Sequence, residues 1–186
     1  MLLTISYNLE MKKEESSYLY LILIHVLIGF VIYLVPFTAK IYAYLTLILG
    51  MYYIIKTQNR NHEALLVAAY IVGAEVLLRM TGGNVTYEFS KYGVMIFVLF
   101  GMYYSGFSRG ATPYWLFLIL LVPSVILSTI VINYNTNLRN AIAFNISGPV
   151  CLAIASLYTY RRRMPLEQLN NILLCLGMPI ISCTVY

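Results

Sequence analysis

The chain has 186 residues, 61% of them hydrophobic and only 10% charged, with a formal net charge of +5 and a mean hydropathy of +0.79. A water-soluble domain carries about 25% charged residues, so most of this surface is not built for water. The basic residues lie in short segments between apolar runs rather than on an exposed stripe interleaved with aromatics, which argues against nucleic acid as a partner and for the lipid bilayer. Runs of roughly 18 apolar residues predict an all-α, polytopic helical membrane protein, and the alternation of a transmembrane β-barrel is absent.

In chain order, residues 1–17 are polar and mixed, with Lys12, Lys13, Glu14 and Glu15 ahead of the first span and no small-residue cleavage site after it. They are expected to form a cytoplasmic segment, and residues 18–186 a single transmembrane domain. The first span is expected at 18–37, stopping at Pro36, with His25 inside it hydrogen-bonded to a neighbouring helix. A short turn at Lys40 leads into a second span at 41–55. Residues 56–63, Lys-Thr-Gln-Asn-Arg-Asn-His-Glu, read as a solvated loop ahead of a helix N-terminus; the adjacent His62-Glu63 is a weak acid–base signal. Spans three to six follow at 64–80, 92–107, 114–132 and 141–160. Tyr114 and Trp115 serve as an interfacial anchor, Pro123 as a kink, and Asn145, Ser147, Gly148 and Pro149 as a polar break. Residues 133–140 read as a polar loop, and Arg161–Arg163 stop the sixth span. A seventh run, 169–186, is still apolar at the last residue, which suggests the front part of a longer protein. Cys151, Cys175 and Cys183 form no C-x-x-C and have no histidine close in sequence, so they read as small packing residues, with neither metal nor cofactor implied.

The stretch Val72–Lys91 organises the rest, because only here do both signs of charge meet long apolar runs across a glycine turn. Glu75 and Arg79 are four residues apart with the acid first, the favourable order for an intrahelical pair. In a span centred near Val72 the rise per residue puts Glu75 roughly 4–5 Å and Arg79 about 10 Å beyond the midplane. Arg79 then snorkels and Glu75 stays deep, where an unpaired acid costs about 2.5–3.5 kcal/mol, so it should face the protein interior with Arg79 as partner. Two readings stand side by side: an ion pair that clamps helices together, or a site for an anionic head group. In the second, Gly82 and Gly83 present backbone N–H groups and Arg79 and Lys91 supply charge.

The charges also vote on orientation. With the N-terminus cytoplasmic, the inner segments hold eight bases (Lys12, Lys13, Lys56, Arg60, Arg109, Arg161, Arg162 and Arg163) and the outer segments four, Lys40, Arg79, Lys91 and Arg139. The bias predicts N-terminus inside and the glycine turn on the periplasmic face. The outer bases breach the trend, and contact with anionic lipid or pyrophosphate is one reason for them.

Four segments carry a family likeness: Ala68–Gly83, Tyr87–Gly93, Ala143–Pro149 and Leu174–Ser182. Through them the chain resembles the N-terminal part of bacterial O-antigen ligase and O-antigen polymerase membrane proteins. The resemblance implies a multi-pass protein of the bacterial inner membrane, glycosyltransferase-like, without metal or nucleotide-sugar. Its substrate would be a polyprenyl-pyrophosphate-linked glycan, handled at the periplasmic face in cell-surface polysaccharide biosynthesis. The large periplasmic loop that carries that family's basic and histidine residues has no counterpart here, so no catalytic residue is carried over, and this chain alone is expected to be inactive. A transporter module, with Glu75, His25 and Asn145 marking a polar path, and a non-catalytic membrane scaffold are the alternatives.

Overall fold

The computed structural model describes residues 2–107, 110–131 and 136–186, with side chains described over 18–107, 110–127 and 146–186. Among the described residues the fold is all-helical, with no strands. Its elements are α1 (Leu2–Leu34), α2 (Thr38–Thr57), α3 (Glu63–Met80), α4 (Phe89–Ser105), α5 (Thr112–Val131), α6 (Thr136–Thr159) and α7 (Leu166–Val185). By length and composition α2 and α7 are apolar enough to cross a membrane; shorter apolar stretches lie at Tyr18–Leu34, Thr112–Leu127 and Ile146–Thr159.

Two boundaries differ from the sequence expectation for the same reason. The backbone of residues 2–17 is already helical and continuous with the first apolar run, and residues 136–140 belong to α6 rather than to a loop. Hydropathy marks where a helix becomes polar, not where it stops. Real stops carry backbone chemistry. α1 ends two residues before Pro36, whose ring disfavours helical geometry in the residue ahead of it. α3 ends in a Schellman motif: Gly82 takes φ 65°, Gly83 N–H donates to Leu78 O at 2.9 Å, and Gly82 N–H reaches Arg79 O at 3.5 Å. α5 and α6 run through Pro123 and Pro149, and α7 through Pro179.

The helices meet through small residues. α7 lies between α3 and α1 and touches both backbone to backbone. A Cβ placed on Gly73 would come 2.1 Å from Leu176 O, and one on Gly29 would come 2.4 Å from Ser182 O. Between α3 and its neighbours, Ala43, Ala64, Ala74, Ile71, Leu78, Phe97, Val98 and Tyr158 form the main buried cluster. Gly101 of α4 lets Ala64 and Tyr158 close in from either side. Small residues at these crossings let the helix backbones approach closely. Among the described residues α5 rests on α6 alone, and α1 meets α2 far less than it meets α7. Large apolar side chains are exposed along these outer helices, among them Leu23, Leu27, Ile48, Leu49, Ile119 and Leu120.

Candidate functional site

Polar chemistry collects at three levels along α3. At its C-terminal end Arg79 brackets one oxygen of Glu75: Nη2 lies 2.6 Å and Nε 2.8 Å from Oε1. The guanidinium also stacks over the Tyr87 ring at 5.5 Å. The pair stands on the helix surface, with side chains 42% and 27% exposed for Arg79 and Glu75. Glu75 is therefore not turned into the protein interior, contrary to the expectation from its depth; Ala74, Leu77 and Leu78 occupy the inward face of that turn. Lys91 makes its own contact, 2.6 Å from Glu88 Oε2, and Glu88 is 3% exposed. Each base thus has an acid, and the four charges sum to zero.

The structure does not gather the four head-group candidates around one anion. Arg79 lines an open cleft of about 420 Å³ with Asn84, Val85, Thr86 and Tyr87, and Lys91 is not part of that lining. The Lys91 ammonium reaches toward Gly148 of α6 instead. The N–H groups of Gly82 and Gly83 are spent on Arg79 O and Leu78 O, and Gly83 is held against the first turn of α2, where an added Cβ would lie 2.8 Å from Ala39 Cβ. The glycine turn closes α3 and docks α2; it does not form an open anion nest.

The middle level is a groove. Because α1 and α2 separate beyond their turn, they leave an apolar cavity of about 820 Å³ floored by α3 and α7. Its lining includes Leu27, Val31, Ile41, Leu45, Leu49 and Val67. On α2 the lining runs from Thr38 to Tyr53, about 22 Å at the helical rise. Two of the hydroxyls in its lining, from Tyr42 of α2 and Tyr70 of α3, form a relay of hydrogen bonds: Tyr42 O–H donates to Tyr70 Oη at 2.9 Å, and Tyr70 Oη is 3.1 Å from His25 Nε2. His25 Nδ1 is 2.8 Å from Leu21 O, so the ring is fully used by a backbone carbonyl and a neighbouring helix. Ser182 of α7 donates to His25 O at 2.8 Å and ties the last helix to the first. Asn145, the other residue of the expected polar path, lies outside the described side chains.

The third level, at the N-terminal end of α3, is the polar loop expected from sequence: Gln58, Arg60 and Asn61 are exposed and α3 starts at Glu63, but two of its side chains turn inward, Asn59 at 1% and Glu63 at 3% exposed. The Asn59 amide nitrogen lies 2.7 Å from Tyr158 Oη, 2.9 Å from Ser105 Oγ and 3.0 Å from Gly101 O, while its Oδ1 accepts from Ala64 N–H at 3.0 Å. One side chain thereby caps α3 and joins it to α4 and α6. Gln58, Asn59 and His62 all hold positive φ, a geometry Asn tolerates better than most residues. Arg162 donates to Tyr158 O and Gly106 O and lies over the Tyr158 ring at 4.2 Å. Burial and this nearby guanidinium push the His62 imidazole below its usual range, only partly offset by Glu63. No local sequence signal separated Asn59 from its polar neighbours; its partners stand 42 and 99 residues away.

No match to this chain was found among protein-family models, curated proteins or solved structures.

Proposed function

We propose that this is a multi-pass membrane protein that holds a long-chain amphipathic lipid, with the chain in the α1–α2 groove and an anionic head group at the Arg79 cleft. The groove carries the reading. Its roughly 22 Å length exceeds the roughly 15 Å depth of one leaflet, which favours a chain longer than an ordinary acyl tail. Its Thr38 end lies where Gly83 abuts Ala39, at the same end of the bundle as Arg79. A polyprenyl-pyrophosphate-linked glycan has this shape, an extended apolar tail with a charged head, and it is the substrate class implied by the resemblance to O-antigen ligases and polymerases. Arg79 serves the head group through the guanidinium edge left over from Glu75, and planar N–H pairs suit phosphate oxygens. The apolar side chains along α1, α2 and α5 support a bilayer setting, and the eight-to-four charge bias supports a cytoplasmic N-terminus, with the Arg79 end on the periplasmic side of the inner membrane. In this reading the chain described here supplies lipid binding.

The test is photo-crosslinking of the purified chain in nanodiscs with a polyprenyl phosphate carrying a photoreactive group on its tail. Label is expected on α1 and α2 peptides, reduced by Leu45→Trp and Thr46→Trp, which fill the groove, and competed by long-chain but not short-chain isoprenyl phosphates. Diffuse labelling that the two tryptophan variants leave unchanged refutes it.

A further inference from the structure

At the N-terminal end of α3, next to the groove but separated from it by Tyr53 and Leu66, lies a smaller cavity of about 180 Å³. Its polar lining is Asn61, His62, Glu63, Gln168 and Asn171. Two observations set it apart from an ordinary helix start. Glu63 is only 3% exposed, yet among the described residues no Lys or Arg forms an ion pair with it, and the hydrogen bond its carboxylate accepts there is from Asn61 N–H to Oε2 at 3.0 Å. Across the cavity, Gln168 Oε1 is shielded from solvent and has no hydrogen-bond partner. One positively charged group between them would answer both the buried carboxylate that lacks a cation and the amide oxygen that lacks a partner.

Arg162, whose charge acts on His62, does not supply it. Its guanidinium is engaged with Tyr158 O, Gly106 O and the Tyr158 ring. Tyr158 Oη lies 3.4 Å from His62 Nδ1. The N-terminus of α3 does favour the Glu63 charge, but it leaves the Gln168 oxygen unanswered. The cavity has room for several waters or one partly hydrated ion at about 30 Å³ of liquid volume per water.

We propose that this cavity is a binding site for a small monovalent cation, a metal ion or an ammonium group, held by the Glu63 carboxylate and Gln168 Oε1 with the Asn61 and Asn171 amides alongside. A single carboxylate balances a single charge. A divalent ion would be left with uncompensated charge beside Arg162, so the site favours one positive charge over two. Binding joins α7, which brings Gln168, to the start of α3, so occupancy holds these two helices together. The site is independent of the lipid reading and can be tested without any lipid substrate.

The experiment is thermal unfolding of the purified chain in mild detergent at constant ionic strength. Chloride salts of sodium, potassium and ammonium are titrated against N-methyl-D-glucamine, which is too large for the cavity. A ligand that binds only the folded state raises the midpoint in a saturable way. The expected result is a rise of several degrees with at least one small cation, lost in Glu63→Gln and reduced in Gln168→Leu. A metal-ion site responds to sodium or potassium, and an ammonium site to ammonium alone. Should Glu63→Gln not fold, Gln168→Leu carries the comparison. An unfolding midpoint indifferent to cation identity, or an undiminished response in the variants, overturns the proposal and leaves Glu63 a carboxylate satisfied by its helix N-terminus.

Discussion

The tightest of the glycine crossings among the described residues is the one most open to a decisive test. A methyl group on Gly73 would sit 2.1 Å from the carbonyl oxygen of Leu176, and the obstacle is backbone, which no rotamer change relieves. Restoring an ordinary contact requires α7 to back away from α3 by about 1 Å along its most extensive interface, and overpacking of that kind costs about 1–3 kcal/mol. Against this, alanine in a helix interior gains about 0.5–1 kcal/mol over glycine. The net expectation for Gly73→Ala is a loss of about 1–2 kcal/mol, or roughly 2–8 °C in the midpoint of a chain this size. The control stands on the same helix pair: Gly177 has nothing within 4 Å of an added Cβ, so Gly177→Ala should be neutral or slightly stabilising. Thermal unfolding of both variants in the same detergent, followed by circular dichroism, makes the comparison. Equal midpoints for Gly73→Ala and Gly177→Ala would refute the close crossing and the central position of α7 with it.

Other expectations follow from the same geometry. Gly29→Ala, which meets Ser182 O, should lose stability as Gly73→Ala does, and the double variant should lose less than the sum because both push on α7; the same thermal assay reads this. Asn59→Ala removes contacts to α4 and α6 and the cap on α3, for a loss of about 2–3 kcal/mol by denaturant titration, and Asn59→Gly, which keeps the positive φ available, should lose no less if the side-chain bonds dominate. For Glu75 and Arg79, a double-mutant cycle with Glu75→Gln and Arg79→Ala should give a coupling of about 0.3–1 kcal/mol, as for an exposed pair, with Arg79→Ala alone worse than the double change; zero coupling argues against pairing. Because folding lowers the His62 pKa, the neutral ring is the stabilising form: its contribution is complete above the unfolded value of about 6.5 and is lost as pH falls through that value toward the folded one. His62→Gln should therefore flatten the fall in midpoint on acidification from neutral pH.

What the sequence made legible was the spacing of helices, because apolar runs and the stops at Pro36 and Gly82 are local events. The ends of α1 and α6 were not, since a polar helical turn such as residues 136–140 has the same composition as a loop. The Glu75–Arg79 contact was readable because it needs only one helix and a spacing of four. The Lys91–Glu88 contact is three residues apart but straddles the start of α4, with Glu88 just ahead of the first helical residue, so its pairing depends on where the helix begins. Asn59 and the groove were beyond reach for a different reason. Asn59 becomes buried only when Gly101 and Tyr158 arrive from distant parts of the chain, and the groove exists only because α1 prefers α7 to its sequence neighbour α2.

The pairing of acid with base at the Arg79 end changes the argument that a charge imbalance had suggested. Four bases on the expected periplasmic side looked like a breach of the positive-inside trend in need of an anionic ligand. Two of them, Arg79 and Lys91, carry their compensation within one helical turn, at Glu75 and Glu88. Their presence is therefore explained without a ligand, and the lipid-binding reading has to stand on shape. It does so through the groove, whose apolar length is unexplained by helix packing alone: a gap of about 820 Å³ between α1 and α2 forfeits contacts that the two helices would otherwise make with each other. A chain that fills it recovers those contacts. On this argument the tail contributes more to binding than the head. Leu45→Trp should weaken lipid capture more than Arg79→Ala in the nanodisc crosslinking assay, and the opposite ranking would return the weight to the charges.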